Sequence, residues 1–175
     1  MVNNAPLLPS SDSDHVDALL FLIGEAEVAD TGDYAAWLEF MATEVEYSMP
    51  VRTTRNRVNP DVAPARSFLL KEDRASLTLR VKRLLESDSV WSENPASRVR
   101  RFVSNIRVRR ADDGLVVGSY LLLLRSRSDR DTYEILSADR RDLLVRDSTG
   151  TLRLAAREIT IDQSRLGMAN LPFPI

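Results

Sequence analysis

Apolar residues at Val16, Leu19, Leu20, Ile23 and Ala26 follow the spacing of one helix face, directly after the cap-rich cluster Ser11-Asp12-Ser13-Asp14. The spacing predicts a helix from about residue 13, with those five residues turned to the core and Gly32 as its stop. Asp33 can cap a second, short helix that has Tyr34, Trp37, Leu38 and Met41 on its buried side. From Val45 to Arg52 the pattern is extended and reaches Pro50, which suits a strand near a sheet edge. Thr53 to Glu72 holds Pro60 and Pro64 with little periodicity and reads as a long loop, a kind of segment that usually serves a surface or interface. A third helix starts near Asp73, with Leu77, Val81, Leu84 and Leu85 on one face.

After Ser92-Glu93-Asn94-Pro95 the chain turns to strand, in four extended runs at about 98–110, 115–127, 131–147 and 151–161. Asp113-Gly114 marks a hairpin between the first two, and Asp147-Ser148-Thr149-Gly150 closes the last one. The tail Leu166–Ile175, with Pro172 and Pro174, can form no long regular element. Helices first and strands second indicate α+β: a cone-shaped, curved antiparallel sheet wrapped around N-terminal helices. At roughly 150 residues per domain, 175 residues make one domain, drawn here as 13–175 behind a flexible arm of residues 1–12.

The strand patterns bear on surfaces. In the run 98–110, Phe102, Ile106 and Val108 share one face, while Arg101, Asn105, Arg107 and Arg109 share the other. The next strand is apolar on both sides: Leu115, Val117, Leu121 and Leu123 on one, Val116, Tyr120, Leu122 and Leu124 on the other. Helices cover one side only. The second side needs another chain, the wall of an internal pocket, or loops. Leaving such side chains wet forgoes about 1.5–3 kcal/mol each.

Charge and composition then narrow the chemistry. Lys+Arg number 24 and Asp+Glu 26, a net charge of −2, so no global basic field exists to hold nucleic acid. Arg98, Arg100, Arg101, Arg107, Arg109 and Arg110 stand without an acid among them, and planar guanidinium forks suit intersubunit pairing. A solvated face with local ion pairs is the other reading. Zero Cys excludes disulfides, thiolate nucleophiles and iron–sulfur ligation, and a single His excludes the two-His-one-carboxylate iron triad. No cofactor is expected in this chain. The apolar run Ala18–Ile23 is too short to span a membrane, and the start lacks a basic leader, which points to a soluble cytoplasmic protein.

Individual residues fit these surfaces. His15, beside Asp12, Asp14 and Asp17, reads as a solvated helix-start residue; Trp37 reads as core, and Met41 and Met49 as packing fillers. Trp91 is either an interface anchor or a cap on the core. A small proton-transfer enzyme built on a cone would draw on Glu44, Glu46, Tyr47, Tyr120, Tyr133 and Asp139. A module holding a small apolar ligand would instead keep a roomy cavity in the cone.

Residues 91–106, Trp91-Ser92-Glu93-Asn94-Pro95-Ala96-Ser97-Arg98-Val99-Arg100-Arg101-Phe102-Val103-Ser104-Asn105-Ile106, resemble a known pattern. It is tryptophan, two variable residues, then Asn/Asp-Pro-Pro-Ser-Arg-x-Arg-His-x-Val-Ser-Asn-Val, found in small (beta) subunits of bacterial aromatic-ring-hydroxylating dioxygenases. Glu44–Thr54, Arg140-Arg141-Asp142-Leu143-Leu144 and Ile161-Asp162-Gln163-Ser164 are similar to three further family segments, in the same order. Ala96 stands where the second Pro is usual and Arg101 where His is usual. The resemblance implies a nuclear-transport-factor-2-like cone and a non-catalytic structural subunit of the terminal oxygenase. It also implies assembly with a large alpha subunit carrying a Rieske cluster and a mononuclear iron, commonly three copies of each. The candidate interface is Trp91, Arg98, Arg100, Arg101, Arg107, Arg109, Tyr120, Leu122, Leu124, Arg140 and Arg141.

Overall fold

In the computed structural model, which describes residues 5–51, 67–86, 97–127, 131–163, 167–168, 170–171 and 173–175, the first helix is α1, Ser13–Thr31. Asp12 caps it by accepting from the Asp14 N–H at 3.0 Å, and Gly32 ends it in the left-handed region at φ 77°. The inward face, however, is Ala18, Phe21, Leu22, Glu25 and Ala29, whereas Val16, Leu20 and Ile23 lie outside. The helix is apolar on two sides. The inner stripe looks like the polar one locally because it carries Glu25, whose charge is met by side chains distant in the chain, from the sheet and from Trp37.

Asp33 caps α2, Tyr34–Glu39, by accepting from the Ala36 N–H at 2.9 Å, and Trp37 of this helix is wholly buried. β1, Met41–Pro50, follows, with Met41 and Met49 in the core. The loop expected over 53–72 ends in a strand, β2 (Phe68–Glu72), which pairs antiparallel with β1 and takes the sheet edge in its place. Its side chains are mostly exposed, so no alternation betrays it. Residues 52–66 of that loop lie outside the described residues. Asp73 and Ser76 exchange two bonds, each at 2.8 Å, at the start of α3, Arg74–Glu86, which turns Leu77 and Val81 inward and leaves Leu85 exposed.

β3 (Arg98–Ala111), β4 (Gly114–Ser126), β5 (Tyr133–Arg146) and β6 (Leu152–Ile161) match the four extended runs. Gly114 closes the β3–β4 turn at φ 146°, where a Cβ would stand 2.2 Å from the Leu144 carbonyl oxygen. The sheet is a curved α+β wrap in the order β2-β1-β6-β5-β4-β3, with the core between its concave face and the helices. It is not wholly antiparallel: β1 runs parallel to β6, beginning beside it where the Leu154 N–H donates to the Phe40 carbonyl at 2.8 Å.

A bulge splits β3. Ser104 pairs with Tyr120 and Arg107 with Gly118, so Asn105 and Ile106 together oppose Ser119 alone, and Asn105 sits at φ 52°. The extra residue inverts the alternation. Before it, Val99, Arg101 and Val103 face inward and Phe102 faces out; after it, Ile106 and Val108 face inward as expected. The expected pairing of Phe102 with the inner face and Arg101 with the outer face is thus reversed, because a strict period of two cannot pass through the bulge.

A buried ion network ties helix to sheet. Arg157 of β6 donates from Nε and Nη2 to Asp142 of β5 at 2.8 and 2.7 Å, and from Nη2 to Glu25 of α1 at 2.8 Å, with Nη1 also bonded to Glu25. The Trp37 indole N–H donates to Glu25 at 3.1 Å. Burial raises the Glu25 pKa, but the facing Arg157 outweighs it and holds the carboxyl at about 2. Burial likewise opposes the Arg157 charge, yet Asp142 and Glu25 keep its pKa well above the usual value.

Replacing Glu25 by Ala strands Arg157 beside one carboxylate and is expected to cost about 3–5 kcal/mol in urea unfolding. The folded Glu25 pKa lies below its unfolded value near 4.5, so its stabilisation is full above that pH and drains as pH falls toward 2. Glu25→Gln should therefore flatten the stability profile between pH 4.5 and 2 relative to the parent chain, read by chemical denaturation across that window. At the bulge, Asn105→Gly should be tolerated, while Asn105→Val should lower stability by about 1–2 kcal/mol, since a β-branched residue resists positive φ.

Candidate functional site

The outer face of β3, β4 and β5 carries an uncovered apolar patch. Register puts Phe102 beside Leu122, Leu124 beside Ile135, and Tyr133 beside Ser126, all pointing away from the helices. Phe102, Leu122 and Ile135 are 50%, 42% and 54% exposed, values that leave roughly half of each ring or branch in water within a single chain. Val116 and Leu124 of the same face are half-buried by their neighbours. The opposite face of β4, from Leu115 to Leu123, is sealed in the core.

Arginines and one acid border this patch. Arg98 is exposed, and Arg100 is exposed with a loose contact to Asp30 at 3.4 Å. Arg107 lies over the Tyr120 ring with its guanidinium carbon 4.6 Å from the ring centre, and its Nη2 reaches Asp139 at 3.4 Å. It also crosses Gly118, where a side chain would meet Nη2 at 3.0 Å. Arg141, opposite Gly118 on β5, is exposed on this face. Tyr120, Leu122, Leu124, Arg98, Arg100, Arg107 and Arg141 are therefore brought together.

The remaining members of the predicted set go elsewhere. Arg109 donates from Nε to the Ala5 carbonyl at 3.0 Å, and Arg110 bonds Asp12 and Asp14 at 2.7 Å each, so residues 5–14 are strapped along β3. Leu8 adds a backbone bond to Val108 at 2.9 Å, and His15 stands 3.3 Å from the Leu8 carbonyl. Arg101 and Arg140, expected at an interface, are buried inside the cone. The bulge turns Arg101 inward, and Arg140 alternates with the exposed Arg141. Trp91 lies outside the described residues.

Inside, Phe173–Ile175 fills the cone. Arg101 donates to the Pro174 carbonyl from Nε at 3.1 Å and from Nη2 at 2.6 Å, while its Nη1 reaches Asp30 at 2.8 Å. The Ile175 N–H donates to the Tyr47 hydroxyl at 3.2 Å, and that hydroxyl donates to the Ile175 carbonyl. The Phe173 ring packs edge-on to Trp37 at 5.1 Å. Burial pushes the Tyr47 phenol above its ordinary pKa. The space left between Glu25, Trp37, Arg101, Arg140 and Ile175 has no room for a water molecule, whereas ligand pockets run to roughly 300–1,000 Å³.

The six candidates for proton transfer do not converge. Glu44 and Glu46 are exposed, Tyr120, Tyr133 and Asp139 lie on the outer side of the sheet, and Tyr47 alone is in the core. The buried carboxylate nearest Tyr47, Glu25, is held ionised rather than pushed toward a protonated acid. Sequence reasoning missed Glu25, Asp142 and Arg157 as a group, because they are distant in the chain and only Asp142 falls in a family-like segment. Among the described residues, no group of three or more His, Asp or Glu is arranged to hold a metal ion, and no helix is long and apolar enough to cross a membrane.

Comparisons with known proteins agree with this architecture. The family described as ring hydroxylating beta subunit matches residues 24–168. The chain is 34% identical over 161 residues to the biphenyl 2,3-dioxygenase subunit beta of Rhodococcus jostii (strain RHA1), covering 87% of this chain and 84% of that protein. It is 32% identical over 158 residues to a benzene 1,2-dioxygenase subunit beta of Pseudomonas putida, with the same coverage. Among solved structures, naphthalene 1,2-dioxygenase with indole bound in the active site superposes with a TM-score of 0.81 at 25% identity, over 89% of this chain and 82% of that one. A match across most of the chain, joined to the helix-filled curved sheet, makes this protein a member of the ring-hydroxylating dioxygenase beta-subunit family.

Proposed function

We propose that the chain is the non-catalytic small subunit of a terminal oxygenase acting on an aromatic compound in the cytoplasm. In this reading it assembles with an iron-bearing large subunit and with further copies of itself, three of each. The oxidative chemistry belongs to the partner's Rieske cluster and mononuclear iron. The small subunit supplies a rigid, iron-free surface.

The observation that carries this reading is the bare outer face of β3–β5. A sheet whose inner side is fully packed has no folding reason to display Phe102, Leu122 and Ile135 to water. Arg98, Arg100 and Arg141 on the same face can form bidentate bonds to carboxylates and carbonyls of a neighbouring chain. The interior arginines serve the fold and are not part of this docking surface.

Co-expression with the large subunit tests it. The double variant Phe102→Asp/Leu122→Asp should fold as the parent does, by circular dichroism, yet lose about a hundredfold or more in association on sedimentation. A parent chain that stays monomeric with the large subunit present, or a double variant that assembles normally, contradicts the proposal.

A further inference from the structure

We infer that the partner seated on the arginine-bordered half of the outer face is a second copy of this chain, which offers it the acidic half of its own outer face. The inference rests on the reading of that face as a docking surface, and it names which chain covers it and with which residues.

The outer face divides by charge. Val45, Tyr47 and Met49 of β1 point into the core, so Glu44 and Glu46 stand on the outer side, where both are exposed. Register sets Ser48 beside Glu158 of β6, whose neighbours Arg157 and Ile159 are buried, so Glu158 shares that side. Arg98 and Arg100 belong to β3, which the order β1-β6-β5-β4-β3 places four strand spacings from β1. At about 4.8 Å per spacing that is about 19 Å, so these glutamates and arginines cannot pair within one chain. Glu44, Glu46 and Arg98 make no ion pair among the described residues. Arg100, with its side chain 69% exposed, keeps only the loose contact to Asp30.

The two halves match each other. Arg98 and Arg100 are two residues apart on one strand, and Glu44 and Glu46 are two apart on another, so each couple spans about 7 Å. Laid face to face in two copies, each guanidinium meets a carboxylate. The relief matches as well. Between β1 and β6 the outer side chains are Ser48, Ala156 and Thr160, a low strip on which the protruding Phe102, Leu122 and Ile135 of the other copy can rest. Like halves are kept apart, because arginine would then face arginine. Since the halves are different surfaces of one chain, every copy can present one and receive the other.

Sedimentation equilibrium of the chain alone tests this pairing. The parent chain should self-associate, and raising NaCl from about 0.05 to about 0.5 M should weaken that association at least about tenfold. Glu44→Arg/Glu46→Arg and Arg98→Glu/Arg100→Glu should each weaken it at least about tenfold, since like charges then oppose each other. All four substitutions in one chain, or an equal mixture of the two double variants, should restore it. A parent chain that is monomeric alone at its highest soluble concentration, or whose association ignores salt, overturns the inference without any variant. So does a double variant that associates as the parent does, or a folded fourfold variant that stays weak. If any of these results accompanies loss of assembly with the large subunit in Phe102→Asp/Leu122→Asp, the docking reading stands and this inference alone falls.

Discussion

One guanidinium holds the two layers of this protein in register. Arg157 lies between Glu25 on α1 and Asp142 on β5, with four of its donor bonds made in the core. A buried ion pair of this kind contributes little net stability against an apolar replacement, because desolvation offsets the attraction. Its consequence is orientation. Only one rotation of α1 brings Glu25 to Arg157, and that rotation seats Phe21 and Leu22 in the core while sending Val16, Leu20 and Ile23 outward. The Trp37 indole bonds the same carboxylate, so α2 is oriented by the same group.

A second constraint, the bulge at Asn105, distributes the arginine group of β3. Without the extra residue, Arg101 would stand on the outer face beside Arg107, and Phe102 would be in the core. With it, Arg98 and Arg100 border an apolar patch on the outside while Arg101 binds Asp30 and the tail on the inside. One sequence cluster thus serves both surface and interior. Arg101 also stands where the family pattern has His, so the departure from the pattern falls on the residue that fastens Pro174.

The cone therefore has its polar resources committed to structure. Proton transfer inside the cone needs a deep cavity with a carboxylate held protonated. The interior instead holds an ionised Glu25 between arginines and is closed by Pro174 and Ile175. The family relationship and the bare outer face point the same way, toward work done at a surface shared with other chains.

Much of this was legible in the linear pattern. The element order, the boundaries of β3 to β6, the caps Asp12 and Asp33 and the turn at Gly114 follow from local steric and hydrogen-bonding preferences, which neighbouring residues express unaided. The two-sided apolar character of β4 was also explicit, and so was its need for a cover. The inward face of α1, the edge strand β2, the parallel seating of β1 on β6 and the inward turn of Arg101 were not. Each depends on a partner far along the chain: Arg157 for Glu25, β1 for β2, Phe40 for Leu154, Pro174 for Arg101. Periodicity reports how a segment could divide its own faces. Which face is buried, when both are apolar or when a charge can be neutralised, was decided by the three-dimensional packing that brings those distant partners together.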